Sequence, residues 1–177
     1  NKKKVISTAT ISLFWSTIGF LVLFLLFRKD LAIWSKINVE YIVFTIWILA
    51  LDALAIIPFS KIRAESRPIK YAVIKISNVV INLLLNVFFL AFLPNWAANT
   101  DNMFIQTIYH EDFQIGYIFV SNLIASLFTL VFVLPDYFKI KWQFDVDLWK
   151  KMMQYGLPIL VAGIAFAINE HFDKILL

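Results

Sequence analysis

The sequence predicts an all-α integral membrane protein with five transmembrane helices. Of its 177 residues, 61% are hydrophobic and the mean hydropathy is +0.79, whereas soluble domains are about 45–50% apolar. Five apolar runs match the roughly 20 residues that a helix needs to cross a hydrocarbon core of about 30 Å. Barrel strands alternate in polarity and are only about 10 residues long, so these longer runs without alternation indicate helices.

The predicted spans cover residues 5–27, 41–59, 71–93, 115–135 and 155–177. The first span is uncharged, the second holds Asp52, and the third has Lys75 near its start. We expect the helix of the second span to end at Pro58, because proline interrupts a helix. A short basic turn then leads to Tyr71. The second and third spans are therefore predicted to form a hairpin.

Lys and Arg residues are concentrated on one predicted side of the membrane. Twelve of the 16 lie before the first span, around the turn between the second and third, or between the fourth and fifth. The positive-inside rule therefore predicts a cytoplasmic amino-terminal segment, a cytoplasmic turn and an external loop over residues 94–114. Trp34 and Trp96 fall at the external boundary, and Trp142 and Trp149 fall at the cytoplasmic one. This placement agrees with the orientation, because indole rings favour the headgroup level.

Residues 136–154 are predicted to form a cytoplasmic amphipathic linker. Apolar and polar residues alternate between positions 138 and 144, a pattern typical of a strand. Asp145 is a candidate N-cap for a short helix that follows, with Trp149 on its apolar face. The segment either lies on anionic lipid at the membrane surface or connects two helix bundles.

Asp52 lies near the middle of the second predicted span. A carboxylate at mid-bilayer costs about 2.5–3.5 kcal/mol on insertion scales, so its presence there needs a reason. In one interpretation it faces a water-filled cavity, as a proton or cation site or as a substrate contact. In the other it is a structural hydrogen-bond partner of a neighbouring helix.

Asn78, Asn82 and Asn86 recur every four residues in the third span and therefore share one helix face. They are predicted to hydrogen-bond to a neighbouring helix, and the alternative is a polar lining for a substrate path. An antiparallel hairpin would place Asn82 near the depth of Asp52. Lys75 is expected to extend towards the cytoplasmic interface, and if it pointed inwards it could attract a phosphate.

The far end of the fifth span carries the densest polar cluster in any span, from Asn169 to Lys174. Glu170, Asp173 and Lys174 are candidates for a patch that faces a cavity. The spacing of His171 within this cluster matches no zinc signature, so no metal site is predicted.

Other classes of function find no support in the residues. The chain has no Cys, which excludes disulfides and thiolate metal sites. Glycines occur only at positions 19, 116, 156 and 163, and they form neither a nucleotide-binding loop nor a Rossmann fingerprint. The cations follow the membrane topology, so nucleic-acid binding is not predicted. We therefore expect no enzymatic activity and no cofactor.

Two short motifs resemble bacterial polysaccharide flippases, which transport lipid-linked oligosaccharides within the superfamily of multidrug, oligosaccharidyl-lipid and polysaccharide exporters. Residues 57–65, read as IPFSKIRAE, are similar to the P-(F/A)-x-x-L-R-A turn of that family and contain Pro58 and Arg63, with Arg67 just beyond. Residues 155–158, read as YGLP and followed by Asp173 and Lys174, are similar to the start of its seventh helix. The chain departs from the family at Ile62 and Lys174, where Leu and Arg are common.

The resemblance implies part of a two-bundle transporter of 12–14 helices. On it, residues 1–135 form the end of the first bundle, 136–154 the cytoplasmic linker and 155–177 the first helix of the second bundle. The chain begins with Asn1 and stops within an apolar run, so we expect an internal part of a longer protein. The implied cargo is an undecaprenyl-diphosphate-linked oligosaccharide, moved across the bacterial inner membrane for surface polysaccharide or lipopolysaccharide assembly. Membrane lipids and glycan polymerase or assembly proteins are the implied partners.

Three other interpretations remain open. The first is a cation-coupled multidrug exporter of the same superfamily, which would need a cavity lined by acidic and aromatic residues. The second is a membrane-embedded enzyme that processes glycans. Such an enzyme would need a long catalytic loop, whereas the longest predicted loop here has about 20 residues, too few for a separate catalytic domain. The third is a purely structural membrane partner, which the charge at Asp52 disfavours.

Overall fold

The part of the chain that the structure describes is mainly helical and contains no strand. The computed structural model describes residues 2–99, 105, 109–138, 140 and 142–176, with the side chains of 2, 111 and 171–176 left out. Five of the helices are long and apolar enough to cross a membrane, which confirms the prediction of five spans. The helices are α1 (Lys2–Leu26), α2 (Arg28–Ser35), α3 (Val39–Ala64), α4 (Pro68–Val87), α5 (Leu93–Asn99), α6 (Gln114–Tyr137) and α7 (Val146–Leu176), with a π-helical segment (Phe88–Phe92) and a 3₁₀ turn (Glu111–Phe113).

The chain divides into two compact units. The larger unit comprises residues 13–139, and the smaller one comprises residues 1–12 together with 140–177. In the larger unit, α6 packs against both α3 and α4. Small or hydroxyl-bearing residues form much of the buried face of α6, among them Gly116, Ser121, Ala125, Ser126 and Thr129. Helices in lipid approach closely at such residues, because no side-chain bulk separates the backbones.

The helix of the second span does not end at Pro58, as the sequence analysis expected; α3 continues through this proline to Ala64. Proline has no N–H, so the carbonyl four residues earlier, on Leu54, has no helical partner. The Tyr137 hydroxyl at the end of α6 donates a hydrogen bond to that carbonyl. A neighbouring helix thus satisfies the group that the proline leaves open, which is how membrane helices tolerate proline.

A tight turn joins the two helices of the hairpin. Ser66 adopts the left-handed conformation, with a φ of 54°. The Ser66 N–H donates to the Arg63 carbonyl at 3.1 Å, and the Arg67 N–H donates to the Ile62 carbonyl at 3.2 Å. This pattern is a Schellman motif, which ends a helix by satisfying its last carbonyls. Pro68 then occupies the first turn of α4, where proline is favoured.

The third span is longer than the predicted range of 71–93. Helix α4 begins at Pro68, the π-helical segment Phe88–Phe92 follows, and α5 continues to Asn99. The predicted loop over 94–114 is therefore helical at its start. Pro94 supplies no N–H to an α-helical ladder, and the wider π turn lies directly before it. Such a turn lets the helix axis continue past an interrupted ladder.

Helices extend from both sides into the linker predicted over 136–154, and the strand expected from its alternating residues is not formed in the part that the structure describes. Helix α6 reaches Tyr137, and α7 runs without a break from Val146 to Leu176, through Pro158. The described residues between the two helices have no strand, although their sequence alternates. The predicted N-cap is confirmed, because the Asp145 carboxylate accepts a hydrogen bond of 3.1 Å from the Leu148 N–H.

Hydroxyl groups of α1 explain why the connection needs no strand partner. The Ser7 hydroxyl donates to the Gln143 carbonyl and accepts from the Gln143 N–H, both at 2.8 Å. The Asp145 N–H donates to Thr8 Oγ1 at 3.2 Å. These backbone groups would otherwise seek a ladder, and here the side chains of a helix satisfy them.

Candidate functional site

The three asparagines of α4 form one connected row, which we call the amide ladder (Asn78, Asn82 and Asn86). Asn78 Nδ2 donates to Thr129 Oγ1 of α6 at 2.8 Å, and Asn82 Nδ2 donates to Asn122 Oδ1 of α6 at 3.2 Å. Asn86 Nδ2 donates back to Asn82 Oδ1 at 2.5 Å and to the Asn82 carbonyl at 3.0 Å. The interhelical hydrogen bonds that the sequence analysis favoured are therefore present.

The ladder is closed on the α6 side by hydroxyls that bond within their own helix. Thr129 Oγ1 donates to the Ala125 carbonyl at 3.0 Å, so it is free to accept from Asn78. Among the described residues, Asn86 Oδ1 is a buried acceptor without a donor. Since two of the three amides are engaged with α6, the ladder joins helices rather than lining an open path along its whole length.

Asp52 lies on an exposed face of α3, outside this ladder. The buried face of α3 carries Ala55, which packs in one cluster with Ile74 of α4. Asp52 precedes Ala55 by about one helical turn, and Asn78 follows Ile74 by about one turn in the antiparallel α4. Asp52 therefore lies at about the depth of Asn78, and Asn82 lies more than one helical turn further along α4.

The Asp52 carboxylate has neither an ion pair nor a hydrogen bond to any residue that the structure describes. The interpretation of Asp52 as a hydrogen-bond partner of a neighbouring helix is thus not met within the described chain. Its face instead holds exposed apolar residues, Leu49 and Ile56, which stand on the same side at helical spacing. A carboxylate in such a position must meet water, a cation or a polar partner.

The turn end of the larger unit holds an ion pair that the sequence analysis missed. Lys70 Nζ lies 2.5 Å from Asp136 Oδ2, and the two side chains are 37% and 6% exposed. Asp136 directly follows Pro135 at the end of α6 and was assigned to the linker. The available signal was an acidic residue at the end of an apolar span, on the same predicted side as a basic turn. A second pair, Arg67 with Glu65 at 3.5 Å, is largely exposed.

Two further cations of the hairpin contact aromatic rings. The Arg63 guanidinium lies 5.4 Å from the centroid of the Tyr71 ring. The Lys75 ammonium lies 4.9 Å from the centroid of the Phe59 ring. Lys75 is exposed at the surface of the unit. Pro58, by contrast, is buried at the point where Tyr137 reaches the Leu54 carbonyl.

The candidate patch of the fifth span is described only in part. Glu170 is exposed on α7, and it takes part in at least one contact. The side chains of Asp173 and Lys174 lie outside the described residues. Their proposed role in a cavity stays a prediction.

The end of the larger unit away from the turn holds an aromatic crevice. A cavity of about 650 Å³ is lined by Arg28, Glu40 and His110, among other residues. The His110 N–H donates to the Tyr117 hydroxyl at 2.8 Å, and Tyr117 is only 4% exposed. The backbone at His110, within the loop predicted over 94–114, is thus anchored to a buried tyrosine.

Together these features define a multi-pass helical membrane protein. The amide ladder joins two of its spans, and the Asp52 carboxylate lies on the exposed face of a third. No family model, curated protein or solved structure matches the chain.

Proposed function

We propose that this chain forms part of a non-enzymatic flippase that moves an undecaprenyl-diphosphate-linked oligosaccharide across the bacterial inner membrane. The observation that carries the proposal is the Asp52 carboxylate, which lies in mid-span on an exposed helix face. The resemblance of residues 57–65 and 155–158 to flippase motifs supports the choice of cargo.

The position of Asp52 suits a transport pathway on physical grounds. A carboxylate that faced hydrocarbon would have to be protonated or hydrated, because isolated charge is strongly disfavoured there. The amide ladder is engaged with α6, so it cannot turn to solvate Asp52. A water-filled cavity on the Asp52 face meets the requirement, and a polar glycan needs such a cavity to cross the bilayer.

A transport assay in vesicles tests the role of Asp52. We expect Asp52→Asn to lower the rate of flipping of a labelled lipid-linked glycan by at least about tenfold, which is 1.4 kcal/mol in the barrier. Asp30→Asn is the matched control, because Asp30 is an exposed acid in the short helix α2. Asp173→Asn tests the second candidate in the same assay. Wild-type rates in both Asp52→Asn and Asp173→Asn would remove these residues from the mechanism.

A cation-coupled multidrug exporter is the second candidate, because a single mid-span acid also suits a proton or cation site. The two functions separate in the same vesicles. A flippase moves the lipid-linked glycan and leaves a cationic dye in place, whereas an exporter moves the dye in a way that depends on an ion gradient. Dye transport without glycan flipping would overturn the flippase proposal.

The orientation is testable because the chain has no cysteine. In the proposed topology the amino-terminal segment and the hairpin turn are cytoplasmic. In intact cells, the variant Ser66→Cys should then not be labelled by an impermeant maleimide, whereas the variant Asp30→Cys should be labelled. Labelling of the turn from outside would show that the topology, and with it the direction of transport, is the opposite of the proposed one.

A further inference from the structure

Four of the five cations in and beside the turn of the hairpin (Lys61, Arg63, Arg67, Lys70 and Lys75) fall into two kinds. Lys70 and Arg67 pair with carboxylates, at 2.5 Å and 3.5 Å. Arg63 and Lys75 instead lie over aromatic rings, and within the described chain neither forms an ion pair with a carboxylate. A cation held over a ring retains its charge and most of its hydrogen-bond donors, which a second ligand can use.

The two ring-held cations belong to one arrangement, which we call the cation–ring square (Phe59, Arg63, Tyr71 and Lys75). Phe59 and Arg63 are four residues apart on α3, and Tyr71 and Lys75 are four apart on α4, so each pair shares a helix face. Across the hairpin, Arg63 faces the Tyr71 ring and Lys75 faces the Phe59 ring. The two rings meet edge to face, with centroids 5.4 Å apart.

The rings of the cation–ring square are held in position by the buried core. Phe59 is 6% exposed and belongs to the buried cluster with Ala55, Ile62, Ile74 and Val133, against which Tyr71 packs. The Schellman turn and Pro68 fix the distance between the two helices at this end. The rings are held by the core, and the two cations that lie over them belong to exposed residues.

We propose that the cation–ring square binds the phosphate of an anionic phospholipid headgroup. Arg63 and Lys75 are exposed at the surface, at the end of two membrane-length helices, where headgroups lie. Guanidinium and ammonium groups are the side chains that bind phosphate, through charge and several N–H donors. Basic residues next to a membrane attract anionic lipid, which is enriched in the cytoplasmic leaflet. The inference requires that the hairpin spans a membrane and does not depend on glycan transport.

Native mass spectrometry of the purified chain, titrated with phosphatidylglycerol or phosphatidylcholine, tests this site. We expect wild-type protein to retain phosphatidylglycerol with roughly tenfold higher affinity than the zwitterionic lipid. The double variant Arg63→Gln with Lys75→Gln should lose this preference. The double variant Lys61→Gln with Arg67→Gln removes the same charge from the same turn and should keep it. Equal retention by both double variants would overturn the proposal.

Two further measurements keep the test decisive. The variant Arg63→Lys with Lys75→Arg preserves both cations and should bind phosphatidylglycerol as wild type does, whereas loss of binding there would overturn phosphate recognition by charge at these positions. Excess inorganic phosphate separates the lipid headgroup from free phosphate. If phosphate alone displaced the lipid completely, the site would be one for a soluble anion, and the lipid assignment would be wrong. The outcome of these lipid-binding measurements does not determine the outcome of the glycan-flipping assay, so the two proposals can fail separately.

Discussion

Helix α6 contacts its two neighbours in different ways. Towards α3, rings and apolar side chains pack together: Tyr41 stacks on Phe119 with centroids 5.3 Å apart, and Val133 packs with Phe59. The Tyr137 hydroxyl adds a hydrogen bond to the Leu54 carbonyl. Towards α4 the middle of the contact is polar, with an Asn78–Thr129 hydrogen bond of 2.8 Å. Apolar contact in lipid lacks the hydrophobic driving force that it has in water, so shape and hydrogen bonds must position the helices.

The difference shows how one helix can be placed by two kinds of restraint. An aromatic and small-residue contact depends on close fit and tolerates little added volume. A hydrogen-bonded contact tolerates changes in volume but depends on the register of donors and acceptors. We therefore expect substitutions among the rings and apolar residues of the α3–α6 contact to act through overpacking and those in the α4–α6 contact through lost hydrogen bonds.

The largest expected change in the free energy of unfolding comes from substituting Gly116, next to the aromatic rings that pack between α6 and α3. A Cβ at this position would collide with the Phe113 ring, which is itself flanked by Tyr41 and Tyr117. We expect Gly116→Val to lower the free energy of unfolding by about 3 kcal/mol, at the upper end of the cost of overpacking. An SDS titration in mixed micelles would measure it.

The control for this change is Gly19→Val in α1, where an added Cβ meets nothing within 4 Å. It should leave the free energy of unfolding nearly unchanged, because helix propensity differs little between the two residues. Equal losses at both glycines would show that the effect belongs to glycine in general and not to the Phe113 contact.

The Lys70–Asp136 pair offers the next largest effect, on the polar side. Lys70→Met removes the cation from a carboxylate that is only 6% exposed, while Lys70 itself is 37% exposed. The expected loss is about 2 kcal/mol, between the values for buried and surface pairs. Arg67→Met, which breaks an exposed pair with Glu65, should cost less than about 0.5 kcal/mol. Similar losses in the two variants would contradict the importance of burial.

Tyr137 tests how Pro58 is tolerated inside α3. Tyr137→Phe keeps the ring but removes the donor to the Leu54 carbonyl. We expect a loss of about 1 kcal/mol, the lower end of the cost of an unsatisfied buried group. In the double variant with Pro58→Ala, the restored N–H can satisfy the carbonyl, so the cost of Tyr137→Phe should disappear. Persistence of the full cost in that background would exclude this explanation.

The number of spans and the shared face of the asparagines could be predicted because they follow from local patterns, namely run length and a four-residue repeat. The Asp145 cap could be predicted for the same reason. The end of α3 could not, because the donor that rescues Pro58 lies 83 residues away from Leu54. A local rule for proline is overridden there by a contact between helices.

The prediction of a strand before α7 failed for a similar reason. Its alternating residues match a strand in isolation, but Ser7, which bonds to Gln143, lies 136 residues away in sequence. The Lys70–Asp136 pair, separated by 66 residues, likewise depends on a contact between helices that no local pattern specifies. Asp52 is the opposite case: its position in a span was evident, but only the packing of α3 shows that the carboxylate is on an exposed face.

The smallest expected effect is the coupling between Asn78 and Thr129. A double-mutant cycle with Asn78→Leu and Thr129→Val isolates the hydrogen bond from the change in packing. Interhelical hydrogen bonds in lipid are worth about 0.6 kcal/mol on average, and we expect a coupling of that size. The same cycle between Asn78 and Val133, which no hydrogen bond joins, should give none. If the Asn78–Thr129 coupling were also absent, the α4–α6 contact would be held by shape, as the apolar part of the α3–α6 contact is, and the contrast between the two sides of α6 would disappear.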